Sequence, residues 1–421
     1  MSNALDHIRI KGFKSIRELD IELRPLNVLI GANGAGKSNF VSFFRFIQEM
    51  AVTKLELAVA KHGGADAILH FGAKVTRQLD AEFHFQNNAY SVRFVPVAEN
   101  KLFNVENKPF NVEDKLFIAE EKAAYTTHIG THAPPPEAVR HSFEEPISSS
   151  EPRHRESELL KKGRVYYQLK RADMPAQRVF EFISNWVVYH FSDTSEYAGM
   201  RQQKAINDNE FLRQDAENLA AFLFMLQKTS PAAYEQIRDA VRLAAPFFDD
   251  FKLRPVTANP ELIQLEWTQV GSDYPFRPSQ FSDGTLRFIC LATALLQPNP
   301  PATMLFDEPE LGLHPYALTL LASLFKRAAK SGGQVIACTQ SASLLNEFEP
   351  EDVIVVDRRD GQSTFHRLDK AELSEWLEDY GLGELWQKNI FGGRPHGEAG
   401  NGPPKSDAVA PGNAPPEGDI P

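Results

Sequence analysis

Gly31-Ala32-Asn33-Gly34-Ala35-Gly36-Lys37-Ser38 fits the pattern G-x-x-x-x-G-K-S in full. The residues before it, Val28-Leu29-Ile30, form a continuous apolar run that reads as a buried strand. After it, Phe40, Val41, Phe43, Phe44, Phe46 and Ile47 give the thick apolar face of a packed helix. Strand, glycine loop and helix in that order form the context in which the pattern is a phosphate site. Glycines let successive backbone N–H groups curl round an anion without a Cβ clash, and the following helix points its positive end at it.

Gly31, Asn33, Gly34, Ala35, Gly36, Lys37, Ser38 and Asn39 are therefore the candidate nucleotide-binding residues. Lys37 would reach the β and γ phosphates of ATP, and Ser38 would ligate Mg²⁺. The second half of such a site is a carboxylate at the end of a buried strand. Thr303-Met304-Leu305-Phe306 is apolar enough to be central and delivers Asp307 and Glu308. Asp307 is the second candidate metal ligand, and Glu308 is placed to take a proton from attacking water. Lys37 and Asp307 stand 270 positions apart, far beyond the ~30 residues of one βαβ unit. That interval disfavours a simple ring-forming ATPase or a small nucleotide kinase. Upstream of the acids, Phe281-Ser282-Asp283-Gly284-Thr285 leads into a helical run from Leu286 to Leu296. Ser282 and Gly284 make a second anion-binding helix start.

The 421 residues are 42% apolar and 24% charged, the composition of a soluble globular protein. Lysine and arginine number 45 against 56 acids, a net charge of −11, so a broadly basic protein that coats nucleic acid is excluded. Cys290 and Cys338, both in apolar runs, rule out a disulfide framework and a zinc finger. The N-terminus has no apolar core of signal-peptide length, and the longest apolar stretch, Phe288 to Leu296, is shorter than the ~20 residues a bilayer crossing needs. The expectation is a cytoplasmic protein without a membrane segment.

Outward from the loop, His7–Ile10 and Leu19–Leu23 alternate as strands, and Ile68–Pro96 reads as an antiparallel meander. Strand character follows at Val165–Leu169 and Trp186–Phe191, and two helices between Asn218 and Ala245, the second opened by Ser230-Pro231. From Leu262 onward strand and helix alternate, which predicts a parallel sheet. Asp352–Asp357 is one more of its strands, since too few residues remain for a Toprim nuclease. The expected organisation is a single head over 1–391. Within it, 1–129 is an N-terminal lobe with the phosphate loop, and 130–158 a flexible Pro- and Ser-rich insertion. Strands and a helical subdomain occupy 159–260, and 261–391 is a C-terminal lobe with Ser282 and Asp307; residues 392–421 read as a disordered tail. His128, His132, His141 and His154 read as exposed side chains around the insertion rather than metal ligands, and the basic run from Arg153 through Lys161, Lys162 and Arg164 to Arg171 as a solvated face, with a DNA or RNA contact as the alternative. There is no internal repeat and no sustained heptad.

The order of the phosphate loop, Phe281–Thr285, Leu305-Phe306-Asp307-Glu308-Pro309-Glu310 and Leu311-Gly312-Leu313-His314-Pro315 resembles the ABC-type ATPase head of the RecF and SMC group. The opening Ile8-Arg9-Ile10-Lys11-Gly12-Phe13-Lys14-Ser15-Ile16 is similar to the first strand and turn of these proteins, in particular the RecF-like bacterial ATPases without a coiled coil. The resemblance implies an α/β P-loop NTPase fold, an ABC-type head with a mixed/parallel sheet core, an antiparallel β lobe and a helical subdomain. It implies ATP hydrolysis, an ATP-dependent homodimer in which Ser282 and Gly284 serve the partner's γ-phosphate, His314 at that interface, and coupling to DNA repair, recombination or phage defence, with a DNA contact. The alternative is a low-turnover ATP sensor gating a separate effector protein; the ATPase subunit of a transporter is disfavoured by the opening segment. Phe281 and Asp283 depart from the Leu and Gly usual in transporters, where an acid is tolerable only facing away or capping the helix. Gln340 stands at the switch position usually held by His; it hydrogen-bonds but carries no proton, so hydrolysis would be slow or partner-dependent. The loop for a metal-contacting glutamine falls in Tyr189–Ser195, with His190 or Asp193 as candidates.

Overall fold

Strands buried on both faces must be apolar at every position, and those around the phosphate loop meet that requirement. The computed structural model describes residues 4–96, 115–125, 157, 160–162, 164–165 and 175–394. The chain opens with β1 (His7–Phe13) and β2 (Ile16–Glu22), then β3 (Leu26–Ile30), which runs into the glycine loop and α1 (Lys37–Val52). Next come α2 (Leu55–Lys61), α3 (Ala65–Ile68), β4 (Leu79–Phe85), β5 (Asn88–Pro96), β6 (Leu116–Tyr125), α4 (Pro175–Ser184) and β7 (Trp186–Tyr189). A middle section holds β8 (Lys204–Ala205), α5 (Leu219–Thr229), α6 (Pro231–Ala244), β9 (Phe248–Lys252), β10 (Pro255–Val256), β11 (Asn259–Ile263), β12 (Glu266–Gln269) and β13 (Ser272–Phe276). The last part is α7 (Asp283–Leu296), β14 (Thr303–Asp307), α8 (Pro315–Lys330), β15 (Gln334–Thr339), α9 (Ala342–Leu345), β16 (Val353–Arg359), β17 (Gln362–Arg367), α10 (Lys370–Leu377) and α11 (Leu382–Gln387).

A six-stranded sheet in the order β17-β16-β3-β15-β14-β7, parallel except for β17, forms the centre. A five-stranded antiparallel sheet, β2-β1-β4-β5-β6, makes the N-terminal lobe, and two three-stranded sheets, β10-β11-β8 and β13-β12-β9, border the helices. Side chains alternate between the faces of the central sheet. Leu29, Leu305, Ile336 and Ile354 enter the core that holds α1. Val28, Met304, Val335 and Val353 enter the core that holds α7 and α8. Helix α1 is wedged between the central sheet and the antiparallel lobe through aromatic contacts: Phe43 stacks on Phe83 at 5.9 Å, and Phe44 meets Trp186 at 5.0 Å. The fold class is the mixed α/β phosphate-loop architecture expected.

Several expectations need correction. Strand character at 165–169 is not found at Val165, which like residue 164 is helical, and 166–169 lie outside the described residues. The meander begins at Leu79 rather than Ile68, because Ile68 closes α3 and Gly72, at φ 78, turns the chain. Residues 262–276 do not begin the parallel sheet. They fold as antiparallel strands whose connections, such as the Val270-Gly271 turn, are too short for a crossover. The parallel alternation starts at α7. Insertion 130–158 falls almost wholly outside the described residues. Residues 392–394, which the sequence reading assigns to the tail, lie within the described residues: an added Cβ on Gly393 would come 3.0 Å from Val355 and 3.6 Å from the Cα of Gly31, so Gly393 packs beside the phosphate loop.

Trp186 is fully buried among Phe44, Phe83 and Phe182. Trp186→Ala is expected to cost about 3–5 kcal/mol in denaturant unfolding. A cost below about 1 kcal/mol would mean that the lobe and the central sheet do not depend on this wedge.

Candidate functional site

Parallel pairing decides where the site forms. Strand β15 lies between β3 and β14, with Thr339 opposite Ile30 and Cys338 opposite Asp307. The C-terminal ends of the three strands are therefore level, and the glycine loop, Gln340 and the acids meet there. Gly34 (φ 78) and Gly36 (φ 119) adopt left-handed backbone that suits only glycine. Lys37 is buried, and its ammonium donates to the carbonyls of Gly31 at 2.6 Å and Ala32 at 3.0 Å, closing the loop on itself. Burial lowers its pKa, opposed by the nearby acids Glu308 and Asp307. Asn33, Gly34 and Ser38 are exposed, Gly31 and Ala35 buried. Asn39 is a brace in this structure: its amide donates to Ser15 Oγ at 2.7 Å, Ser15 shares a 2.7 Å hydrogen bond with Ser363, and Ser363 Oγ donates to the carbonyl of Ala35 at 2.5 Å.

Ser38 Oγ donates to Asp307 Oδ1 at 3.4 Å. Burial raises the Asp307 carboxyl above the usual carboxylate range, opposed by Ser38 and Lys37. Glu308 holds a non-glycine left-handed backbone, φ 49, with its N–H tied to the Cys338 carbonyl at 2.8 Å. The side-chain amide of Gln340 donates to Glu308 Oε1. Glu310 fixes that arrangement from behind: its Oε1 accepts from Thr339 Oγ1 at 2.6 Å and from the Gln340 N–H at 2.8 Å. Burial raises the Glu310 carboxyl as well. Of the two candidates after β7, His190 shares a hydrogen bond of 2.8 Å between its Nε2 and Ser192 Oγ. Asp193 is engaged by the N–H of Ser195 at 3.0 Å.

Ser282 caps α7, its Oγ accepting from the Thr285 N–H at 3.1 Å, and is exposed. Asp283 is turned onto Arg201, whose Nη2 donates to it at 2.8 Å; Arg201 is itself buried and also donates to the Thr194 carbonyl at 2.8 Å. The acid beside Ser282 is thus paired within the chain. Gly284 has no alternative: a Cβ there would sit 2.1 Å from the Gly312 carbonyl oxygen. Arg287, one turn further along α7, donates to the carbonyls of Phe191 at 2.9 Å, Ser192 at 3.1 Å and Leu311. Helix α7 packs on the opposite face of the central sheet from α1, with Ser282 and Gly284 at its start. They border a cavity of about 100 Å³ with Phe288, Gly312 and His314, and His314 is the exposed cap of α8.

Sequence reading missed Ser15, Ser363, Arg201, Arg287 and the bracing role of Glu310. Only Glu310, in the run Asp307-Glu308-Pro309-Glu310, carried a local signal. The four histidines lie outside the described residues. Of the basic run, Arg164 packs over the Phe180 ring at 5.6 Å and donates to the Ala51 carbonyl, which makes it a structural cation. Among the described residues no helix is long and apolar enough to cross a membrane.

A family model described as "AAA ATPase domain" matches residues 4–225, and one described as "AAA domain, putative AbiEii toxin, Type IV TA system" matches residues 131–346. The cytochrome c biogenesis ATP-binding export protein CcmA of Bartonella quintana (strain Toulouse) is 43% identical over 60 residues, 14% of this chain and 28% of CcmA. The match thus spans little more than a quarter of that relative's length. Among solved structures, an Smc head bound to the C-terminal winged-helix domain of ScpA gives a TM-score of 0.48 at 16% identity, covering 87% of this chain and 99% of that one. A Pyrococcus furiosus Smc head with an extended coiled coil, bound to the C-terminal domain of ScpA, gives 0.47 at 15% identity over 89% and 98%.

Glu310→Gln keeps an acceptor for Thr339 and Gln340 while removing a buried charge. A carboxyl raised on folding favours the folded state below its unfolded value, about pH 4.3, and that contribution is lost as pH rises through the folded value. The variant should therefore melt above the parent protein at pH 7 without nucleotide, and the difference should shrink toward pH 4. A lower melting temperature at pH 7 would mean that the hydrogen bonds of the charged form outweigh its burial.

Proposed function

The chain belongs to the family of AAA ATPase domains, and from that premise we propose that it binds and hydrolyses Mg-ATP at Gly31–Ser38, closes as a twofold pair of chains around two nucleotides, and couples closure to DNA repair, recombination or phage defence. In this reading residues 1–391 work as one cytoplasmic head. Ser38 and Asp307 are an oxygen pair suited to Mg²⁺, whose charge would offset the burial of Asp307. Mg²⁺ held there would neutralise charge on the β and γ phosphates. Lys37 contributes its remaining N–H to the phosphates, and Glu308 accepts the proton of the attacking water, oriented by the Gln340 amide.

The observation that carries pairing is the separation of α1 and α7 on opposite faces of the central sheet, with Ser282 exposed. A nucleotide cradled at the start of α1 leaves Ser282 and Gly284 for the nucleotide of a second chain. Contacts to the γ-phosphate then hold the interface, and hydrolysis removes them. The DNA link rests on the resemblance to RecF and SMC heads. The toxin–antitoxin wording of one family description leans toward defence among the processes named.

A second reading, a low-turnover sensor gating a separate effector protein, is favoured by the Gln340–Glu308 hydrogen bond, because a glutamine amide supplies no proton relay. Turnover separates the two. Glu308→Gln is expected to lower kcat by about 10²-fold or more; equal turnover in parent and variant would sink the hydrolase reading. Light scattering on Glu308→Gln tests pairing: Mg-ATP should double the mass, and adding Ser282→Arg should abolish the doubling. An unchanged mass despite measured ATP binding would rule out the nucleotide sandwich.

A further inference from the structure

The segment that follows α11 runs behind the phosphate loop, on the β16 side of β3. Asn389 and Ile390 leave the helix with their N–H groups donating to the carbonyls of Trp386 at 2.8 Å and Leu385 at 3.0 Å. Phe391 packs against the core that holds α7 and α8, and Gly393 is buried. A Cβ added to Gly393 would lie 3.0 Å from Val355 Cγ1, 3.1 Å from Trp386 Nε1 and 3.6 Å from the Gly31 Cα. Gly31 is itself pressed on β16, since a Cβ there would run into the Val356 carbonyl. Trp386, Gly393 and Gly31 thus lie in contact against one strand, with no slack between them.

The root of this segment is fixed to the other end of the site. Asn346, which follows α9, accepts the Gly383 N–H of α11 at 2.6 Å, and Gly383 lies so close to the Ala342 carbonyl that a Cβ would not fit. Helix α9 in turn is capped by Ser341, the neighbour of Gln340. Packed contacts therefore run from Gln340 through α9 and α11 to the first glycine of the phosphate loop. Two buried polar atoms here have no hydrogen-bond partner, Trp386 Nε1 and Asn389 Oδ1. Such groups are costly, and they occur where the chain is drawn in beside Gly31.

The Gly31 carbonyl accepts from Lys37 Nζ at 2.6 Å, so its position aims the ammonium. We propose that residues 389–393 are a strap that positions the phosphate loop, Gly393 backing Gly31 and through it directing Lys37. This rests on the reading that Gly31–Ser38 holds the phosphates of Mg-ATP. Gly393 and Trp386 are positioning residues, and what they govern is affinity for the polyphosphate chain, not for the nucleoside.

Gly392 supplies the control. It shares the left-handed backbone, φ 85 against 81 at Gly393, but the nearest atom to a Cβ added there is Asp357 Oδ2 at 3.8 Å. Alanine carries the same backbone strain at either position, and only at 393 does it crowd the strap against Gly31. The test is calorimetric titration with Mg-ATP and with Mg-tripolyphosphate, the melting temperature being recorded for each variant. Gly393→Ala should bind both ligands about tenfold more weakly than Gly392→Ala. Adding Trp386→Phe, which takes the indole nitrogen off the crowded side, should restore most of the loss. Equal affinity in the two glycine variants would overturn the strap, as would a loss confined to Mg-ATP or a double variant without recovery. If Gly393→Ala does not fold, Trp386→Ala, which withdraws the backing, should weaken both ligands, and unchanged affinity there would overturn the strap as well. Failure of the parent protein to bind either ligand would instead overturn the nucleotide reading beneath it.

Discussion

The level C-terminal edge of β3, β15 and β14 is the constraint on which the site depends. Parallel register lets no strand slip by one residue without turning its apolar side chains to the wrong core. Leu29, Ile336 and Leu305 face α1, while Val28, Val335 and Met304 face α7 and α8. The packing that fixes these choices also sets Thr339 level with Ile30, and Asp307 level with Cys338 one residue before it. Two acids and a lysine more than two hundred residues apart in sequence are thus placed by hydrophobic burial, and the polar contacts among them are consequences of it.

Polar groups gathered this way carry a cost that the surroundings only partly offset. Burial depresses Lys37 and raises Asp307 and Glu310, each shift stating that the charged form is held at the expense of stability. Glu308 adds a left-handed backbone. Natural proteins concentrate such costs where function requires them. Elsewhere charge is met by charge: Asp283, at the start of α7, pairs with buried Arg201 at 2.8 Å.

The legible part of the fold was the part with local signatures. The phosphate loop, the acids after Thr303–Phe306, the capped start of α7 and Gln340 after β15 each lie within a dozen consecutive residues, with periodicity on both flanks to place them. The misread parts were set by tertiary pairing. Apolar alternation over 262–276 is the same for antiparallel and parallel strands, and only the short connections distinguish them. Arg201 and Asp283, 82 positions apart, and Ser15 and Ser363, 348 apart, are joined by topology that no window of sequence contains. Asn39 is instructive: its place beside Ser38 suggested a phosphate contact, whereas its side chain braces the loop against the first hairpin.

Helix α7 has little freedom to move apart from the acid-bearing loop. Gly284 approaches the Gly312 carbonyl so closely that a single methyl would not fit, and Arg287 grips carbonyls on both Leu311 and the Phe191-Ser192 segment. Leu311 follows Glu308 by three residues, and its N–H donates to the Glu308 carbonyl at 3.3 Å. His190, which directly precedes Phe191, follows β7, the strand paired with β14. One arginine therefore connects the helix that presents Ser282 to both segments flanking Asp307 and Glu308. Packed contacts of this kind move together.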